Sequence, residues 1–218
     1  SLAAALMDVA GTASLSNEEL QKEWYRLGSS FNFGAGGNAS GFSLSGLDEQ
    51  FEASLELMMS AIKQPTTDDE TLEQLKSILI KSRQDMKSSP PAIANALNLY
   101  NRYGEESPML ESLTTDEIRA TQLDELLSLP SDLLDYEHTL AYTGSMPLEQ
   151  LVEALRRHHP LAGDLKQPPA YRFRTVREIS ANEVYVVDQQ TAQAQVRIEF
   201  ADGEYNANDR VPASVYTS

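Results

Sequence analysis

Apolar residues recur at every third or fourth position through most of the chain, and breaks in that rhythm mark the ends of the predicted elements. Leu2–Met7 is apolar nearly all round, the pattern of a helix buried on every side. Ser16 and Glu19 are spaced as a capping box, and the helix they open runs to Leu27 and stops at Gly28 in a left-handed conformation. Ser29–Ala35 and Ser40–Ser45 are two extended runs separated by Gly-Gly-Asn, which predicts a hairpin. Gly46 then hands over to a helix with Leu47, Phe51, Leu55, Met58, Met59 and Ile62 on one stripe, ending near Pro65. Thr67–Glu70 reads as a second box, whose helix turns Leu72, Leu75, Ile78 and Leu79 inward and reaches about Lys87.

Ser88–Pro91 interrupts, and a shorter helix follows from Ala92 to Tyr100 or Arg102. Thr114 and Glu117 open a helix that ends before Pro130. His138–Gly144 alternates like a strand, and Pro147 suits the first turn of a helix through Leu155. Pro160–Pro169 is the best linker. Beyond it, Glu183–Val187 and Ala194–Phe200 are β-rich, and Val211–Ser218 begins another helical pattern. The order of hairpin, several helices, strand and helix is α+β. Ser1–Met7 shows no start Met, signal peptide or N-cap, so the chain reads as an excerpt of a longer polypeptide.

The balance of 33 acidic to 17 basic residues, a net charge of −16, argues against a nucleic-acid surface. It hints at basic peptides as partners. The lack of cysteine excludes disulfides, thiolate metal sites and Cys nucleophiles. No run is long enough to span a membrane.

Candidate chemistry is sparse. His138 fronts a strand, while His158 and His159 end a helix, where the macrodipole favours them and where adjacent side chains diverge by about 100°. Asp48–Glu49 and Asp68–Glu70 lie in first helical turns, where carboxylates are stabilising anyway. No serine sits in a Gly-x-Ser-x-Gly elbow, and Gly34–Gly37 leads into a strand rather than a phosphate-binding helix. Trp24-Tyr25 and the Phe31/Phe33 pair read as packing. The run Ser29–Ala35 offers a sharper idea: as a flat, Gly-rich sheet edge it could take an extended peptide as an added strand. Its glycines equally fit a bulge or tight turn.

The Ala/Leu-rich helix, Gly11-Thr12, the capped helix, Leu27–Asn32 and Phe42–Leu47 together resemble the M16 (insulinase-like, pitrilysin-like) zinc metallopeptidases. The likeness continues through the helix after Thr67, Tyr103-Gly104 with Pro108, Leu113-Thr114 with Ile118, and the strand ending at Gly144. Val184–Phe200 and Tyr205–Asp209 look like the opening of a further homologous domain. The resemblance implies a metallohydrolase-like (LuxS/MPP-like) two-layer sandwich, a mainly antiparallel sheet with helices on one face. It divides the chain into 1–165, a domain lacking its first strand or strands, and 166–218, a linker and the start of the next domain.

Active domains of that family carry His-x-x-Glu-His before the Gly-Thr pair and a distal glutamate. Those positions fall here on Leu2, Ala5 and Leu6, and the distal one near Lys81 or Ser82. None can ligate zinc or serve as a base. The resemblance thus implies a non-catalytic repeat, most like the third domain of a four-domain bacterial member, with no catalytic or metal residue and no cofactor of its own. Zinc would belong to the catalytic N-terminal half of the same polypeptide, the expected partner along with peptide substrate. This part would help close the chamber and hold substrate through Phe31, Asn32, Phe33 and Gly34, where active domains have the strand beside bound substrate. An inactive scaffold or assembly protein of the same fold is the alternative. For a bacterial parent, a periplasmic or cell-envelope location is favoured over the cytoplasm.

Overall fold

In the computed structural model, which describes residues 1–36, 38–160, 163–189, 194–200, 206–207 and 210, the chain opens on helix α1 (Leu2–Val9). Leu2, Ala3, Leu6 and Met7 are buried, and Ser1 caps the helix by accepting from the Ala4 amide at 3.2 Å, where the sequence predicts no cap. Strand β1 (Gly11–Thr12) follows, then α2 (Asn17–Leu27), begun by the Ser16/Glu19 box and ended by Gly28 at φ 60°. Strands β2 (Ser30–Gly36) and β3 (Ala39–Ser45) pair antiparallel, Gly36 opposite Ala39 and Phe33 opposite Phe42. Their side chains alternate: Phe31, Phe33, Phe42 and Leu44 turn toward the core, while Ser30, Asn32, Gly34 and Ser43 face out.

Helix α3 (Phe51–Lys63) packs Leu55, Met59 and Ile62 against Phe31, Phe42 and Leu44, and α1 packs Leu2, Leu6 and Met7 against Phe33. Both helices therefore cover the same apolar face of the hairpin. Leu47, predicted on the α3 stripe, is exposed because it precedes a 3-10 turn at Asp48–Gln50 that sets it outside the helix. After α3, β4 (Pro65–Thr66) pairs with β1, giving a second small antiparallel sheet.

Helix α4 (Asp69–Met86) starts one residue later than the box at Thr67 predicts, because Asp68 accepts from the Thr71 amide at 2.8 Å. Leu72 is buried, and Leu75 and Leu79 pack on the same cluster, but Ile78 is exposed. The inward line runs Leu72, Lys76, Leu79 at spacings of four and three, which leaves Ile78 on the other side and buries Lys76 instead. The Lys76 ammonium meets Glu73 at 2.7 Å and the Arg119 carbonyl at 3.1 Å. Helix α5 (Pro90–Tyr103) begins at the proline pair itself, where a missing N–H costs nothing.

The single helix predicted after Thr114 is two. Helix α6 (Thr115–Ala120) ends at Thr121, which is extended, and Gln122 with Glu125 caps α7 (Leu123–Asp132). Pro130 lies inside α7 rather than beyond it, buried in the last turn. Helix α8 (Leu148–His158) follows.

His138–Gly144, Glu183–Val187 and 194–200 form no ladder among the described residues, although all alternate as strands do. Alternation records which side chains suit a face; a strand also needs a neighbour to bond, which local sequence does not supply. Val211–Ser218 and most of Tyr205–Asp209 lie outside the described residues.

The chain divides into two compact units, one of Ser1–Gln84 with Leu113–Phe173, the other of Asp85–Ser112 with the described residues from Arg174 on. Within the second, the Arg177 amide donates to the Arg102 carbonyl at 2.7 Å and Tyr100 meets Tyr185 edge to face.

Candidate functional site

Strand β2 has a ladder partner on one side only among the described residues. Because Gly36 and Ala39 form the pair closing a two-residue turn, they are a hydrogen-bonded pair, and bonding alternates from there. Ser30, Asn32, Gly34 and Gly36 thus bond across to β3, while Phe31, Phe33 and Ala35 turn their N–H and C=O groups to the outer edge. Among the described residues, no backbone bond from another element reaches those groups. Phe33 is only 4% exposed. Backbone groups that are partly buried and unpaired call for a partner.

Beside that edge lies a cleft of about 360 Å³ between β2, α2 and the C-terminal end of α1. Its apolar wall includes Leu20, Trp24, Phe31, Phe33 and Ala61. An aromatic row builds this wall: Trp24 stacks on Phe31 with ring centroids 5.9 Å apart, Phe31 on Phe42 at 6.1 Å, and Phe42 on Phe33 at 5.0 Å. Tyr25, the neighbour of Trp24, is 90% exposed and packs on nothing in this wall.

Most polar groups of the cleft are already engaged. Asn17 donates to the Ala10 carbonyl at 2.9 Å, Ser29 meets Ser54 of α3 at 2.6 Å, and Ser30 meets Ser45 at 2.8 Å. Gly11 forms the floor where α1 turns back toward α2; a Cβ there would lie 2.3 Å from the Leu15 carbonyl oxygen, so no larger residue fits.

The four residues expected to touch substrate divide by function. Phe33 commits its ring to the core, Phe31 is half-buried at the cleft wall, and both leave backbone for the edge, whereas Asn32 and Gly34 sit on the exposed face.

The resemblance read from the sequence implies zinc, and the residues present do not fit it. Leu2 and Leu6 are buried in one apolar cluster with Phe33, Leu72 and Leu126, and Ala5 beside them has no donor atom. Lys81 and Ser82 are exposed on α4. Among the described residues no three His, Asp or Glu side chains converge as a metal centre.

The remaining candidates have structural partners. His138 and His159 are brought together, Nε2 to Nε2 at 2.9 Å, a contact hidden in the sequence by a separation of 21 positions. His158 lies 3.4 Å from Glu52. Asp48, rather than serving its own helical turn, accepts from the Tyr142 hydroxyl at 2.9 Å and the Ser145 amide at 3.0 Å, which hold its carboxyl below the usual range. Asp68 caps α4 and its carboxyl is likewise lowered by the Thr71 amide.

Together these features define an α+β unit with an open strand edge, an adjacent cleft and no metal ligands at the family's positions. Solved structures similar to it include M16-like peptidases and other proteases. A mutant of the ferredoxin protease FusC in complex with Arabidopsis ferredoxin matches over 81% of this chain with TM-score 0.66 and 18% identity. A protease from Helicobacter pylori covers 81% with TM-score 0.58 and 16% identity. A peptidase M16 inactive domain from Pseudomonas fluorescens covers 77% with TM-score 0.57 and 18% identity. The chain spans 19%, 44% and 43% of those three chains, respectively. No family model matches the sequence, and no curated protein does. Among the described residues, no helix is long and apolar enough to cross a membrane.

Proposed function

We propose that this chain is a non-catalytic segment of an M16-type zinc metalloendopeptidase, and that it holds extended peptide without cutting it. The unpaired outer edge of β2 beside its cleft carries this reading. An incoming strand would bond the backbone of Phe31, Phe33 and Ala35 and place alternate side chains in the cleft. The aliphatic residues at Leu2, Ala5 and Leu6 support the non-catalytic part, since unpaired polar ligands buried without metal would be costly. In the full-length protein, zinc and the cutting chemistry would reside in a catalytic half, with residues 1–165 completing a two-layer sandwich that helps close the chamber and 166–218 leading into the next domain.

Amide hydrogen exchange tests this. Adding an extended peptide should slow exchange at Phe31, Phe33 and Ala35 and leave Asn32 and Gly34, already bonded to β3, little changed. Slowing elsewhere with none at β2 would refute the edge as the binding site. Stoichiometric zinc held by the protein's own side chains, measured by inductively coupled plasma analysis, would refute the non-catalytic assignment.

A further inference from the structure

Among the described residues, Asp8 is the one ionisable residue in the cleft wall. It is exposed, and among the described residues its carboxylate makes no hydrogen bond or ion pair. Its position is also wrong for folding. Asp8 sits in the last turn of α1, which has no basic residue, so its negative charge lies at the negative end of the helix dipole. A carboxylate there opposes the helix by a few tenths of a kcal/mol up to about 1 kcal/mol. A charge that weakens its own helix, faces a cleft and lacks a partner is placed to meet a ligand.

We propose that this cleft selects extended peptides carrying a lysine or arginine, whose cationic head pairs with Asp8 while its aliphatic stem lies along the apolar wall. This rests on the peptide-holding role of β2 proposed above. Three features act in the same direction. The Asp8 carboxylate and the carbonyl end of α1 both present negative potential at the cleft. Among the described residues, no lysine or arginine lines it to compete. Phe31 is half-buried, leaving ring surface for a long methylene stem. Gln21 adds a neutral polar group on α2. The net charge of −16 steers cations toward the whole molecule, but only Asp8 gives the cleft itself a preference.

Three fluorescent Val/Thr-rich peptides of about twelve residues, identical except for a central Lys, Gln or Glu, serve as probes of the full chain by anisotropy. The expected order is Lys, then Gln, then Glu, with about tenfold between the extremes at low salt, shrinking as salt screens the pair. Asp8→Asn should collapse that ratio toward unity, and Asp8→Lys should reverse it. Neither threatens folding, because both remove an unfavourable helix-end charge, and a melting curve no lower than that of the parent checks this. Equal binding of all three peptides would overturn the inference and leave the peptide-holding role standing. A Lys preference that survives Asp8→Asn would also overturn it, assigning the preference to the overall charge. Failure of every peptide to bind would overturn the role itself.

Discussion

The imidazoles of His138 and His159 meet head to head, Nε2 to Nε2 at 2.9 Å, with ring centroids 5.0 Å apart. The Nδ1 of His138 lies 2.7 Å from the Tyr136 carbonyl, which can only accept, so that nitrogen carries a proton. One further proton fits between the two Nε2 atoms, and two do not. Burial, then the charge of His138 and of Lys63 on α3, hold the His159 imidazole below its ordinary 6.5. A histidine lowered on folding binds protons better in the unfolded chain, so its contribution is intact above pH 6.5 and is lost as pH falls below it. Urea midpoints at pH 7.5 and 5.5 should show a drop in the parent that His159→Gln reduces. An equal drop in both would show that the pair does not titrate on unfolding.

Asp48 ties the stretch before α8 back to the start of α3, through the Tyr142 hydroxyl and the Ser145 amide and hydroxyl. Tyr142 adds an edge-to-face contact with Phe51. The Asp48 carboxyl is lowered on folding, so this clamp is complete above pH 3.8 and is released as pH falls through the lowered value. Asp48→Ala should release it at neutral pH, and limited proteolysis should then cut sooner around Tyr142–Met146. Unchanged cleavage there would mean that Phe51 packing alone holds the segment.

Lys76 should be worth more to stability than an exposed lysine. Lys76→Met keeps the buried stem but leaves the Arg119 carbonyl without its donor, at a cost of about 1–2 kcal/mol in chemical denaturation. Lys22→Met, removing an exposed pair with Glu18, should change stability by less than about 0.5 kcal/mol. Equal effects would refute the link between α4 and α6.

Gly11→Ala should destabilise by about 1–3 kcal/mol, since its methyl meets the Leu15 carbonyl and the Asn17 backbone rather than a movable side chain. Gly36→Ala, where the same methyl would meet nothing, should be nearly neutral. The pair of melting temperatures decides between a tight turn and a merely flexible one.

What the sequence made legible was local. The Ser16 and Thr114 boxes, the Gly28 stop and the hairpin each depend on residues a few positions apart, and all form. The misses depend on distant partners. Lys76 is buried because Arg119 offers a carbonyl, His138 meets His159 across a loop, and Val184 or Ile198 alternates with no neighbouring strand to bond among the described residues. The break at Thr121 is a miss of another kind, a local one: Gln122 and Glu125 are spaced for a box but lack the Ser or Thr that usually announces one. The open edge of β2 was legible as a possibility, while its cleft needed α1 and α2 in place.

The outer face of the hairpin presents Ser30, Asn32, Gly34 and Gly36 beside Ala39, Gly41, Ser43 and Ser45, with nothing longer than an asparagine. Such a surface has almost no rotamer freedom to lose. Whatever lies against it meets a smooth wall of backbone that need not rearrange, so contact there would be limited by shape rather than by ordering side chains.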